Sequence, residues 1–151
     1  MAGNGRTFIH VASLVDTSVL VSCFDPRFPG KQRIATELLD AGLSDQTLRI
    51  PHQVLIEFVA VVTRTRSGVK PLLEPADARR EAEEFLSEFT VLYPNDLLFR
   101  TALRGAAAYQ LAWFDAHIWA YAEHYGLDEI LSEDFEHGRL YGSVRARNPF
   151  M

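Results

Sequence analysis

The feature that most constrains this chain is a near-continuous apolar segment close to its start. Residues 8–21 (FIHVASLVDTSVLV) are dominated by β-branched and aliphatic side chains. Such a run is typical of a strand that is covered on both faces, because a half-exposed strand would alternate apolar with polar residues. A strand of this kind belongs in a parallel sheet with helices on both sides. The run also contains one carboxylate, Asp16, whose charge is out of place in a buried strand.

The rest of the sequence supplies the other elements of such a sheet. Apolar periodicity and capping signals predict helices over residues 31–42, 51–66, 75–89, 95–111 and 115–126. Short strands are predicted over residues 48–50, around 90–94 and over 129–134, and one more within 141–150. Gly42 and Gly126 are predicted to end their helices, and residues 25–30 (DPRFPG) to form a turn. Strands that alternate with helices indicate an α/β fold with a mostly parallel sheet.

Length and composition limit the class of protein. A chain of 151 residues suits one domain, here residues 1–151, with residues 1–7 expected to form a loose tail. The single cysteine, Cys23, excludes an intrachain disulfide and a cysteine-based zinc site. No apolar stretch is long enough to span a bilayer, and the first residues lack the features of a signal peptide. We therefore expect a soluble, cytoplasmic protein with no membrane partner.

The charge distribution is more informative than the total charge. The formal net charge of −5 does not indicate nucleic-acid binding, which usually leaves a basic surface. Two groups of basic residues nevertheless have no acidic neighbours between them: Arg64, Arg66 and Lys70, and the C-terminal group that includes Arg139. Either group could equally be an ordinary solvated surface.

Four acidic residues stand where an element begins, ends or should be buried: Asp16, Glu57, Asp115 and Asp134. Each has a structural explanation. Asp16 could accept hydrogen bonds from nearby backbone amides, and Glu57 could pair with Arg64 or Arg66. Asp115 could cap a helix or stabilise its first turn, and Asp134 could be a turn residue.

The four acids are more informative as a set. In a parallel α/β sheet, sites form at the carboxyl ends of the strands, where Asp16 and Asp134 are predicted to lie. Neighbouring carboxylates repel one another by about 1–4 kcal/mol for each pair at about 4 Å, so a cluster suggests a neutralising cation. Oxygen ligands suit Mg²⁺ or Mn²⁺. Such a site is suited to hydrolysis of phosphodiester bonds by metal-activated water.

The same residues resemble a known family. The segments LVDTSVLV with Asp16, PHQVLIEF with Glu57, WFDAHIWA with Asp115 and LSEDFEHG with Asp134 are similar to motifs of the PIN-domain nucleases. Within that family the similarity is greatest to the VapC-like toxins of bacterial toxin–antitoxin systems. It extends from about residue 10 to Phe150 and includes the C-terminal EDFEHGRLYGSVRARNPF.

The resemblance implies a three-layer α/β/α sandwich and a Mg²⁺-dependent endoribonuclease, with Mn²⁺ able to substitute. It implies single-stranded or loop RNA as substrate, products with a 3′-hydroxyl and a 5′-phosphate, a cognate VapB-like antitoxin and a homodimer. Carried over residue by residue, it assigns metal binding and catalysis to Asp16, Glu57, Asp115 and Asp134. Supporting hydrogen bonds are expected from Thr17, Ser18 and Ser132. RNA contacts are assigned to Arg64, Arg66, Lys70 and Arg139.

Glu133 is next to Asp134 and could be mistaken for the metal ligand. If this segment is a strand, the two side chains face opposite ways, and the motif favours Asp134.

Two other functions are compatible with parts of the sequence. One is a PIN-like module that keeps the acids but only binds RNA or a protein partner. The other is a phosphatase of the haloacid dehalogenase type, which also has an aspartate after its first strand. That chemistry usually requires a second acid two residues later, where this chain has Ser18. Phosphate-binding GxxxxGK[ST] and dinucleotide-binding GxGxxG loops are both absent from the sequence.

Overall fold

A computed structural model describes residues 12–151. Its sheet contains six strands in the order β3-β2-β1-β4-β6-β5. The strands are β1 (Ser13–Val15), β2 (Leu48–Pro51), β3 (Thr90–Leu92), β4 (Glu129–Leu131), β5 (Leu140–Tyr141) and β6 (Val144–Arg147). All neighbouring strands run parallel except β5, which is antiparallel to β6. The predicted mostly parallel α/β fold is confirmed.

Helices connect the strands and cover both faces of the sheet. They are α1 (Thr17–Ser22), α2 (Pro29–Asp45), α3 (His52–Val62), α4 (Pro75–Glu88), α5 (Asp96–Tyr109) and α6 (Trp113–His124). The chain moves from β1 to β2 and β3 on one side, then crosses back to β4 on the other side of β1. Since such crossovers are right-handed, this reversal places α5 and α6 on the face opposite the earlier helices. Helix α1 packs on α2 and α3, α3 packs on α4, and α5 packs on α6. The three-layer sandwich is therefore present.

The core lies between these layers. Leu14, Val15, Ile50, Ile130 and Leu131 in the three central strands are fully buried. This explains their nearly unbroken apolar sequence, because both faces of a central parallel strand are covered by helices. None of the helices in the described range is long and apolar enough to cross a membrane.

The first strand is much shorter than the sequence predicts. It ends at Val15, and residues 17–22 form helix α1 instead of continuing the strand to residue 21. Asp16 is the N-cap of this helix, with an extended backbone and a carboxylate that accepts a hydrogen bond from the amide of Thr17. A short apolar run fits a buried helix as well as a buried strand, and the cap decides between them. The expected tail, residues 1–7, and the start of the predicted strand lie outside the described residues.

The predicted C-cap at Gly42 is also wrong. Helix α2 continues to Asp45 and ends at Gln46, which adopts a left-handed conformation with φ 57°. Gly42 is buried inside the helix, where an added Cβ would lie 2.2 Å from Leu48 Cδ1. The glycine therefore allows close packing on β2 and does not end the helix. Gly126, with φ +70°, does follow the end of α6 as predicted.

Candidate active site

Asp16 lies at the carboxyl end of β1 and is almost completely buried. Its Oδ1 accepts a hydrogen bond of 2.7 Å from the Thr17 amide, and its Oδ2 accepts one of 2.5 Å from Ser132 Oγ. Burial raises the pKa of Asp16 to about 7, against the lowering effect of these two donors, and the charges of Asp134 and Asp115 raise it further. The structural explanation for Asp16, hydrogen bonding to a backbone amide, therefore applies. It does not remove the unfavourable environment of the charge.

Ser132 and Asp134 follow the neighbouring strand β4. The amide of Asp16 donates to the carbonyl oxygen of Leu131 at 3.0 Å, which holds the two strand ends together. Ser132 is fully buried, and its Oγ also accepts a hydrogen bond of 3.0 Å from the amide of Asp134. The hydroxyl group thus connects the Asp16 carboxylate to the backbone of Asp134. Burial raises the pKa of Asp134, and the charges of Glu133 and Glu57 raise it further.

Glu57 reaches the site from helix α3. Thr17 Oγ1 donates to Glu57 Oε2 at 3.0 Å, and Gln53 Nε2 donates to Glu57 Oε1 at 2.6 Å. Within residues 12–151 Glu57 has no ion pair, so the alternative of a salt bridge to Arg64 or Arg66 is not found there. Thr17 therefore connects α1 to the carboxylate of α3.

Asp115 lies in the first turn of α6, two residues after the helix begins at Trp113. The N-cap of this helix is Ala112, so Asp115 is a first-turn acid and does not cap the helix. Burial raises the pKa of Asp115, and the charges of Asp134 and Glu57 raise it further. Each of the four predicted acids therefore lies within electrostatic range of at least two of the others, although only Glu57 and Asp134 line the cleft described next.

The site opens as a cleft of about 340 Å³, whose lining includes Thr17, Ser18, Glu57, Glu133 and Asp134. Ser18 Oγ is buried and has no hydrogen-bond partner among the described residues. Of the expected supporting hydroxyl groups, those of Thr17 and Ser132 do make hydrogen bonds to acids of the site. The supporting hydrogen bond expected from Ser18 is not found among the described residues.

The donor set has the chemistry of a site for a hard divalent cation. Carboxylate and hydroxyl oxygens line the cleft or lie behind it, and burial together with neighbouring carboxylate charges raises the pKa of Asp16, Asp115 and Asp134, so a bound cation would stabilise their ionised forms. Across residues 12–151, however, no three His, Cys, Asp or Glu side chains are already arranged as a metal-binding group. The residues therefore fit Mg²⁺ or Mn²⁺ by type and charge, without a preformed cage.

Glu133 and Asp134 do not lie in a strand, so the expectation that their side chains face opposite ways is wrong. The strand ends at Leu131, so the two residues lie in a loop and both line the cleft. Glu133 differs from Asp134 in having a cationic partner, since Lys31 Nζ lies 2.7 Å from its Oε2. That ion pair neutralises Glu133 at the mouth of the cleft.

A basic groove adjoins the acidic cleft. This groove, of about 260 Å³, is lined by Arg27, Arg64, Arg66 and Lys70 together with apolar residues. Val21 and Val61 line both the groove and the acidic cleft, so the two are adjacent. Three of the four predicted RNA contacts are thus beside the acids.

Arg139, the fourth predicted RNA contact, has other neighbours. It lies just before β5, 3.5 Å from Glu136 Oε2, with its guanidinium over the ring of Tyr141. It does not line the basic groove.

Sequence reasoning missed four residues around the cleft: Asp25, Phe28, Lys31 and Gln53. The first three belong to the Pro- and Gly-rich turn and the start of α2, where a turn over residues 25–30 and a helix from residue 31 were predicted but no side chain was assigned to the site. The charged and aromatic residues within DPRFPGK were the available signal. Gln53 precedes Glu57 by four residues on one helix face, a spacing that allows the observed hydrogen bond.

Comparison with known families and structures agrees with this geometry. The family model described as PIN domain matches residues 13–142. A search of curated proteins finds no match.

Several solved structures share the fold. A toxin–antitoxin complex from Klebsiella pneumoniae matches with 19% identity and a TM-score of 0.64, covering 91% of this chain and 98% of that one. A DNA-bound VapBC from Salmonella typhimurium has 14% identity and a TM-score of 0.67, with 92% and 98% covered. The sarcin–ricin-loop-cleaving toxin VapC20 of Mycobacterium tuberculosis has 15% identity and a TM-score of 0.56, with 79% and 87% covered. At such identities the likeness is one of fold.

Proposed function

This chain belongs to the PIN-domain family, and on that premise we propose that it is a metal-dependent endoribonuclease and the toxin of a toxin–antitoxin pair. The observation that carries the proposal is the convergence of Asp16, Glu57, Asp115 and Asp134 beside a basic groove. The toxin–antitoxin complexes among its structural relatives support the biological role.

The acids would hold Mg²⁺ or Mn²⁺, which would activate water and stabilise the leaving oxygen of a phosphodiester. The chain's own residues would fix the site. Ser132 and the Thr17 amide orient the Asp16 carboxylate, and Thr17 and Gln53 orient Glu57. Such outer hydrogen bonds set the direction in which ligand oxygens point.

The basic groove would carry the RNA backbone to the acids. Arg64, Arg66 and Lys70 could each neutralise a phosphate, which offsets the unfavourable net charge of −5. Arg139 stays a predicted RNA contact at a separate place on the surface. Water would attack the phosphorus in line with the 3′-oxygen, and the bond between phosphorus and this oxygen would break. The products would then carry a 3′-hydroxyl and a 5′-phosphate.

Two protein partners are part of the proposal. A VapB-like antitoxin would bind the enzyme and inhibit it, and the VapBC and other toxin–antitoxin complexes among the similar structures support such a partner. A second copy of the chain would cover exposed apolar side chains of α5 and the start of α6, namely Phe99, Leu103, Trp113 and Phe114, of which the rings of Phe99 and Trp113 pack against each other. We expect RNA cleavage and antitoxin binding to take place in the cytoplasm. Residues 12–151 would act as one nuclease domain.

The alternative is a catalytically silent module that binds RNA or a protein partner. The observation that favours it is that no three acids within residues 12–151 already form a metal-binding group. The presence of all four acids favours the enzyme.

One experiment separates these functions. Purified, antitoxin-free protein is incubated with total bacterial RNA in Mg²⁺ or Mn²⁺. Separate control reactions contain EDTA, or replace the parent protein by the Asp16→Asn variant or by the Asp128→Asn variant. Asp128 is an exposed aspartate in the loop before β4. We expect discrete cleavage by the parent and the Asp128 variant only, with 5′-phosphate ends. Equal behaviour of all variants would contradict the nuclease and favour the binding module.

A further inference from the structure

Phe28 lines the acidic cleft and lies in a loop that several hydrogen bonds hold together. The loop is fixed by Asp25, whose Oδ1 accepts hydrogen bonds from the amide of Arg27 at 3.1 Å and from its Nε at 2.8 Å. Asp25 Oδ2 accepts a third from Arg27 Nη2 at 2.8 Å, and Pro26 and Pro29 restrict the flanking backbone. Phe28 nevertheless keeps 51% of its surface exposed.

Two cations flank the exposed ring. The Arg27 guanidinium carbon lies 5.7 Å from the ring centroid, and Lys31 Nζ lies 5.4 Å from it. Lys31 is itself held by its ion pair with Glu133. Arg27 lines the basic groove, whereas Phe28 and Lys31 line the acidic cleft. The aromatic ring therefore lies between the groove suited to phosphates and the acids suited to the cation.

A single exposed phenylalanine is common on protein surfaces and by itself needs no explanation. This one combines a hydrogen-bonded loop flanked by prolines, an exposed ring, two adjacent cations and a position within the cleft. Proteins that bind single-stranded nucleic acid use the same combination, since bases stack on aromatic rings while cations contact the phosphates. A base in a duplex is already stacked and paired, so the ring could accept only an unpaired one.

We propose that Phe28, with Arg27 and Lys31, forms a base-binding subsite that takes one unpaired base of single-stranded RNA next to the scissile phosphate. The base stacks on the exposed ring, and the two cations contact the phosphates on either side of it. The subsite rests on the proposed function, because it requires RNA as the ligand. It makes the enzyme selective for unpaired RNA without requiring the acids to contact a base.

Binding in EDTA tests the subsite without cleavage. The probe is a single-stranded RNA of about twelve nucleotides with one 2-aminopurine, and the comparison probe is the same strand in a duplex. Phe28→Ala is expected to weaken single-strand binding by about ten-fold and duplex binding by less than about two-fold. Phe28→Trp is expected to keep the affinity, and its indole fluorescence is expected to be quenched on binding.

The matched control is Tyr93→Ala, because Tyr93 is also 51% exposed but lies away from the acidic cleft, beside His52. It should bind the single strand like the parent. If Phe28→Ala also binds like the parent, the subsite is wrong even where the parent cleaves RNA. If the parent neither binds nor cleaves RNA with metal present, the proposed function fails and the subsite with it. Circular dichroism spectra that match the parent exclude misfolding of the variants.

Discussion

Ser132 Oγ donates a hydrogen bond of 2.5 Å to Asp16 Oδ2 although the two residues are 116 positions apart in the chain. The contact forms because β1 and β4 are parallel neighbours whose carboxyl ends coincide, with Val15 paired to Leu131. The same hydroxyl accepts from the amide of Asp134, so one buried group orders two acids of the cleft. It also stabilises the charged form of a carboxyl whose burial opposes ionisation.

Replacing Ser132 by Ala should therefore weaken the site without removing an acid. Loss of the hydrogen bond should raise the pKa of Asp16 in the metal-free site, so that a proton competes better with the cation for this carboxylate and the acidic limb of the pH–rate profile moves to higher pH. We expect cleavage at neutral pH to fall by about 10- to 100-fold, as for other partners of metal ligands. The measurement is the cleavage rate between about pH 5.5 and 8.5. Ser132→Thr, which keeps the hydroxyl group, and Ser87→Ala on exposed α4 serve as controls. A profile of Ser132→Ala that coincides with the parent's would exclude this role.

The buried charge of Asp16 should make the metal-free protein less stable as the pH rises. The pKa is about 7 in the folded chain against an ordinary value of 3.8, so between these values the folded state holds a proton that the unfolded state has released. Raising the pH through this window therefore favours unfolding, by up to about 4 kcal/mol in total. Asp16→Asn should remove this dependence and be more stable than the parent above pH 7 in EDTA.

Urea unfolding at about pH 5 and pH 8 measures this difference. The raised pKa values of Asp115 and Asp134 also lower the free energy of unfolding as the pH rises. The difference between the parent and Asp16→Asn therefore measures the part of this pH dependence that is due to Asp16. Asp128→Asn should follow the parent. An Asp16→Asn variant that loses as much stability as the parent would show that this carboxylate is not destabilised by burial.

The basic groove should determine the salt dependence of RNA binding. Each lysine or arginine that neutralises a phosphate of a single strand contributes about 0.7 to the slope of log K against log salt. Combined replacement of Arg64, Arg66 and Lys70 by Ala should therefore reduce that slope by about 2. Arg33→Ala, on the exposed surface of α2, should leave it unchanged. Fluorescence anisotropy at several salt concentrations measures the slope. An unchanged slope in the triple variant would mean that the RNA does not use this groove.

Two glycines in helices should respond in opposite ways to replacement by alanine. Gly105 packs against Trp119, and an added Cβ would lie 2.2 Å from Cζ3 of that ring. Gly105→Ala should lower stability by about 1–3 kcal/mol, because overpacking outweighs the better helix propensity of alanine. At Gly30 an added Cβ meets nothing within 4 Å, so Gly30→Ala should be neutral or stabilising by up to about 1 kcal/mol. Thermal unfolding measures both, and a Gly105→Ala protein at least as stable as Gly30→Ala would contradict the packing of α5 on α6.

Much of the fold follows from local sequence. The alternation of predicted strands and helices correctly indicated a mostly parallel sheet. A strand buried on both faces has a continuous apolar run, whereas an amphipathic helix has apolar residues at helical spacing, so the two can be distinguished in a sequence. The errors lie where the same local pattern permits two structures. The run after Asp16 is apolar enough for a strand or a buried helix, and Gly42 fits a helix end or a close packing contact.

The four acids were recognisable in the sequence because a carboxylate within an apolar element needs an explanation. Their neighbours were not. Three contacts depend on chain segments far apart in sequence: Ser132 with Asp16, Lys31 with Glu133, and the basic groove with the acidic cleft, which lie side by side at Val21 and Val61. Local sequence determines which residues must be buried and how the backbone turns. Only the packing of strands and helices decides which side chains meet, and hence how each carboxyl is hydrogen-bonded, charged and exposed.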